Sequence, residues 1–287
     1  MFKKGINIWS FPGGTPIATC MRQAKDAGFE GIELAFDIKG ELSMESSDEE
    51  IRAIGREAER IGIQIAGLAF ARYGAYSLSS NHEGVRKKAD QVIRRHLEAA
   101  KLLGVECILV VPARGDRDLG EDPENPVPGP LLDYEVAYNR AIEGLKALTP
   151  YAEELGVTIG VENVWNGILL SPLEMRDFID KVGSPRVGAY LDVGNMVLFS
   201  YPEQWIRVLD KRIRMVHFKD FRRNVGTMDG FVDLLEGDVN FEACIRAFDA
   251  VGYSGWAFAE MWPPYATHPE LTIRFTSMAM DKIFGKA

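Results

Sequence analysis

Four polar residues stand where buried β-strands should stay apolar. Glu162 ends the run VTIGVE, Asp192 ends VGAYLD, His217 closes IRMVH and Glu260 ends GWAFAE. Burying one carboxylate without a partner costs several kcal/mol, so such residues at the ends of four successive apolar runs call for a cation. For any one of the acids alone, a helix cap or an arginine partner is the commoner explanation, and a lone histidine in an apolar strand is more often a satisfied core residue. The joint occurrence is what carries the reading. The four lie 30, 25 and 43 residues apart in turn, close to one unit of a repeating β-α architecture each, which sets the tips side by side on one arc. Three carboxylates and one imidazole suit a single divalent ion with mixed oxygen and nitrogen ligands. Mn²⁺ comes first, with Mg²⁺, Co²⁺ or Zn²⁺ as alternatives. A set without thiols argues against a structural zinc.

The elements that must position these residues can be read along the whole chain. Candidate strands are 5–9, 31–35, 63–69, 106–111, 157–162, 187–192, 213–218 and 255–260, alternating with amphipathic stretches. The stretches carry helix punctuation. Thr15-Pro16 supplies an N-cap and a first-turn proline before Ile17, Cys20, Met21 and Ala24, and Gly28 ends that helix. Ser47 with Glu50 forms a capping box, and Ser171-Pro172 with Glu174 repeats the arrangement before Met175, Phe178 and Ile179. Eight strands each followed by a helix predict a single (β/α)8 TIM barrel over residues 1–287, because a parallel sheet must be covered by its crossover helices. The rival, an open doubly wound sheet, lacks its phosphate turn: WSFPGGT does not have the G-x-G-x-x-G spacing. The connections 113–133 and 219–239 are long. The first holds four prolines and is either a lid over the barrel mouth or a decorated surface loop, and the second carries Lys219, Arg222 and Arg223.

Composition narrows the partners. The 287 residues carry 33 basic against 42 acidic side chains, a net charge of −9, which opposes binding to a phosphate backbone and excludes nucleic acid as the expected partner. No apolar run is long enough to span a bilayer or to act as a secretory core, so a cytoplasmic protein without membrane contact is expected. Cys20, Cys107 and Cys244 sit among apolar neighbours and read as buried reduced thiols. His96, His82 and His268 read as surface groups. Trp9, Phe36, Phe70 and Trp262 follow strands and could wall a pocket, although core packing is the default for aromatic rings.

The segments VENVWN, YLDVGN, HFKD and FAEMW resemble the sugar isomerase/epimerase superfamily of xylose-isomerase-like TIM barrels, nearest to ketose 3-epimerases and sugar-phosphate epimerases. The resemblance implies that Glu162, Asp192, His217 and Glu260 bind one divalent metal, usually Mn²⁺, and that Glu162 and Glu260 act as the acid and base. It also matches Arg223 to a substrate-contacting arginine, and implies a sugar or sugar phosphate as partner and association into a homo-oligomer. Two positions depart from the pattern. Asn195 stands where free-ketose epimerases usually have a histidine, and Ile168 where they have a second glutamate.

The chemistry expected is proton transfer at the carbon next to a ketose carbonyl through an enediolate held at the metal. Glu162 and Glu260 come from non-adjacent strands and can flank a substrate. Lys219, Arg223, Asn195 and Trp9 are the expected substrate contacts, with a Lys219–Asp220 ion pair as the plain alternative for that lysine. An inosose-dehydratase-type lyase and a non-catalytic metal- and sugar-binding barrel are the competing readings. An abasic-site endonuclease of the same superfamily would need more histidines than the four present.

Overall fold

The computed structural model describes residues 2–70 and 72–286. Its eight parallel strands are β1 (Lys3–Asn7), β2 (Gly31–Phe36), β3 (Gln64–Phe70), β4 (Cys107–Val110), β5 (Thr158–Glu162), β6 (Val187–Asp192), β7 (Ile213–Phe218) and β8 (Trp256–Ala259). They close in sequence order, with β1 paired to β8, into the expected barrel. The helices are α1 (Ile17–Asp26), α2 (Asp48–Ile61), α3 (Glu83–Leu103), α4 (Tyr134–Leu155), α5 (Pro172–Val182), α6 (Pro202–Leu209), α7 (Phe241–Val251) and α8 (Pro269–Ile283). None of the described helices is long and apolar enough to cross a membrane.

Local signals act as the sequence indicates in two helices and fail in one. Ser47 and Glu50 form a full capping box on α2, and the Ser171 hydroxyl caps α5 at the Glu174 N–H. Thr15 does not cap α1. Its hydroxyl donates to the Pro12 carbonyl and the helix starts after Pro16, because the turn at Pro12 competes for the same side chain.

Two apolar layers hold the barrel. The larger packs outward-facing strand residues against the helices, and a smaller one fills the interior with Ala66, Ala69, Cys107, Leu109, Tyr190, Met215, Trp256 and Phe258. Close approach fixes glycine on the facing strands: a Cβ on Gly31 would stand 2.6 Å from the Trp256 ring, and one on Gly5 would collide with Phe258. Alternation then decides the site. Tyr190, Met215 and Phe258 point into the barrel, so Asp192, His217 and Glu260, two residues further on, point inward at its C-terminal end. The three cysteines are buried free thiols, and burial raises the pKa of each.

Candidate active site

Asp192 on β6 pairs in register with His217 on β7, and Glu162 on β5 lies opposite Tyr190 on β6. With Glu260, which follows β8, each of these residues offers one ligand atom, and the four atoms lie within 4.8 Å of one another. All four residues are buried. His217 Nδ1 is 3.0 Å from Glu260 Oε2 and 3.3 Å from Glu162 Oε1, but neither contact runs along a hydrogen-bond direction. Nδ1, Asp192 Oδ2 and Glu260 Oε2 have no hydrogen-bond partner among the described residues. Three buried, unpartnered ligand atoms gathered this closely suit a shared cation, and hard oxygens plus one imidazole fit a divalent one.

The free atoms are free because the opposite side of each ligand is tied. Asp192 Oδ1 accepts from the N–H groups of Gly194 and Asn195 at 2.7 and 2.8 Å, which turns Oδ2 inward. Asn163 exchanges two hydrogen bonds with the Asp192 backbone and accepts at its carbonyl from Asn195, so the VENVWN and YLDVGN segments lock together. Gly194 permits this turn, since a Cβ there would stand 2.8 Å from the backbone of Lys219.

Electrostatics match a site built for positive charge. Burial pushes the Glu162 and Asp192 carboxyls upward, towards the neutral form. Burial also acts on Glu260, but Lys219 and then His217 outweigh it and hold this carboxyl down. The His217 imidazole is raised despite burial, chiefly by Glu33. Lys219 Nζ stands 3.0 Å from Glu260 Oε2 and 3.6 Å from Asp192 Oδ2, and its pKa is raised.

The other expected contacts divide. Lys219, Asn195 and Trp9 border a cavity of about 620 Å³ above the ligands, together with Trp165, Phe231 and Trp262. The Lys219–Asp220 pair does not form, because the Asp220 carboxylate accepts the N–H groups of Phe221, Leu235, Gly237 and Val239 and so organises the loop after β7. Arg223 does not reach the cavity. Its guanidinium donates to the carbonyls of Val197 and Ser200 at 2.7 and 2.9 Å and stacks 4.6 Å over Tyr201. Phe36 and Phe70 face the helix layer and are core residues. His96 is buried rather than on the surface, stacked 5.2 Å from Phe36 with Nδ1 3.0 Å from the Tyr73 hydroxyl. The loop 113–133 is stitched down: Asp118 accepts from Ser80 Oγ and the Asn81 N–H, and none of its described residues borders the cavity.

One site residue escaped the sequence reading. Glu33, wholly buried on β2, takes His217 Nε2 at 2.6 Å and also accepts from Tyr190 and Asn7. Its signal was a charged residue between Ile32 and Leu34 in GIELA, in mid-strand rather than at a tip.

Known proteins similar to this chain in sequence include the L-ribulose-5-phosphate 3-epimerases UlaE of Salmonella paratyphi A and Salmonella heidelberg, each 23% identical over 284 residues, covering 94% of this chain and 92% of theirs. Among solved structures, an L-ribulose 3-epimerase superposes with a TM-score of 0.78 at 18% identity, covering 100% of this chain and 97% of its own. The 3-keto-D-glucoside 4-epimerase YcjR of E. coli superposes at 0.75 with 17% identity, covering 99% and 100%. These relatives and neighbours are epimerases, enzymes of the isomerase class. The model of the xylose isomerase-like TIM barrel family matches residues 21–278, and the chain belongs to that family.

Proposed function

We propose that the chain is a divalent-metal-dependent epimerase of a ketose or ketose phosphate, acting at the carbon next to the carbonyl. The observation that carries this reading is the convergence of Glu162, Asp192, His217 and Glu260, with three of their ligand atoms buried and unpartnered. The names of the relatives, ketose and ketose-phosphate 3-epimerases among them, support the reaction class. The donor set favours Mn²⁺, with Mg²⁺, Co²⁺ and Zn²⁺ as alternatives. A divalent ion held there supplies a Lewis acid for the substrate carbonyl.

The chain's own residues do the rest. Asp192 and His217 are held rigidly by the Gly194–Asn195 turn and by Glu33, and serve as fixed ligands. Glu162 enters from β5 and Glu260 from the end of β8, strands that are not neighbours in the barrel. A ketose lying between them offers a face of C3 to each, so one carboxylate takes the proton and the other returns one, inverting the centre. In this reading Lys219 and Asn195, which border the cavity, meet substrate oxygens, and Trp9 with Trp165 shields the floor from water.

Incubation of the Mn²⁺-loaded protein with ketoses in D₂O tests this. Loss of the C3 proton signal with a product of unchanged mass is expected, and Glu162→Gln and Glu260→Gln should each slow exchange by at least about 100-fold. Near-normal exchange in either variant overturns the acid/base pair, and a product lacking the elements of water redirects the reading to a lyase.

A further inference from the structure

Resting on the epimerase reading, we infer that the substrate carries an uncharged second ring, and not a phosphate, at the end remote from its carbonyl. Among the described residues bordering the cavity, Lys219 is the one cation. It sits on the floor beside Glu260 and Asp192, and 4.8 Å over the Phe231 ring, so its charge is already balanced at the end where the carbonyl must bind. The basic groups of the adjoining loop are taken as well: Arg222 pairs with Glu236 at 3.1 Å and Arg223 is committed to main-chain carbonyls. The start of α1 offers an anion little, since the Ile17 N–H already donates to the Glu41 carboxylate at 3.2 Å. A phosphate dianion entering this cavity would shed water and meet, among the described residues, no cation that is not already paired with a carboxylate, which is unfavourable.

The outer wall has the opposite character. Met228 and Trp262 border the cavity there, each 48% exposed, large apolar side chains left open where no protein covers them. Gly13 of the loop after β1 borders the same cavity, and a Cβ built on it would meet no atom within 4 Å. Aromatic rings beside free space suit a pyranose, whose C–H face lies flat on an indole while its hydroxyl edge stays hydrated. The volume of about 620 Å³ lies midway in the range of ligand pockets and accommodates a body larger than one small ketose.

Three probes sharing one reacting end separate the cases: D-fructose, D-fructose 6-phosphate and isomaltulose, which is fructose carrying a glucose ring on O6. Binding to the Mn²⁺-loaded protein is measured by calorimetry and tryptophan fluorescence, with C3 exchange in D₂O followed in parallel. Isomaltulose should bind at least about tenfold more tightly than fructose 6-phosphate. Trp262→Ala should weaken isomaltulose about three- to tenfold and leave fructose within about twofold. The inference is overturned if the phosphate ester binds as tightly as isomaltulose, if isomaltulose binds no better than fructose, or if Trp262→Ala leaves isomaltulose unchanged. Tight isomaltulose binding without C3 exchange supports this substrate class while sinking the epimerase reading. Exchange with a higher kcat/KM on fructose 6-phosphate does the reverse.

Discussion

Glu33 Oε2 lies 2.6 Å from His217 Nε2, both side chains wholly buried, although 184 residues separate them in the chain. With Nε2 donating to Glu33, the neutral imidazole that a metal ligand requires turns its Nδ1 lone pair towards Glu162 and Glu260. A carboxylate behind a ligating imidazole fixes its tautomer and raises its basicity.

Glu33→Gln should therefore weaken Mn²⁺ binding about 10- to 100-fold without touching a ligand. Competition titration against a chelator measures this. Unchanged affinity would mean that His217 needs no such partner.

Metal and fold should be linked. At a free Mn²⁺ concentration about 100 times its Kd, the ion should stabilise the protein by about 2.7 kcal/mol, raising Tm by roughly 5 °C over chelator-treated protein. Asp192→Asn should abolish most of that rise, since Oδ1 is spent on backbone N–H groups and Oδ2 is the free donor. Scanning calorimetry with and without Mn²⁺ reads both.

Much of this site was legible because a polar residue at the tip of an apolar strand is conspicuous. Glu162, Asp192, His217 and Glu260 all announce themselves that way, and the β-α alternation places them on one rim. Glu33 was not legible, because an acid in mid-strand acquires its meaning only when β2 closes across the barrel from β7. Arg223 was misplaced because a sequence cannot show which way a loop arginine turns, and the carbonyls of Val197 and Ser200 compete with any substrate. Phe36, Phe70 and His96 pack together behind the barrel wall, a tertiary contact between two strand ends and a helix that no local pattern encodes.

His96 gives the pH behaviour a definite sign. Burial lowers its pKa to about 3, against about 6.5 in an unfolded chain, so the unfolded state binds the proton first. The stability this neutral imidazole permits is complete above about pH 6.5 and is lost as pH falls towards 3, by up to about 1.4 kcal/mol per unit. Denaturant unfolding of wild type and His96→Phe between about pH 7 and about pH 4 should show a shallower decline for the variant. Parallel curves would contradict the assignment.

The barrel interior tolerates no added atom at Gly5, where a Cβ would collide with Phe258. Gly5→Ala should cost about 1–3 kcal/mol, seen as a Tm lowered by several degrees. A variant as stable as wild type would show that the ring can step aside.

The convergence of four strand-end ligands on one ion is tested most directly by anomalous diffraction at the manganese edge from Mn²⁺-soaked crystals. The expected result is one peak within about 2.0–2.4 Å of a donor atom from each of Glu162, Asp192, His217 and Glu260. A peak that leaves out any two of them, or no peak in a crystal holding saturating Mn²⁺, would contradict it.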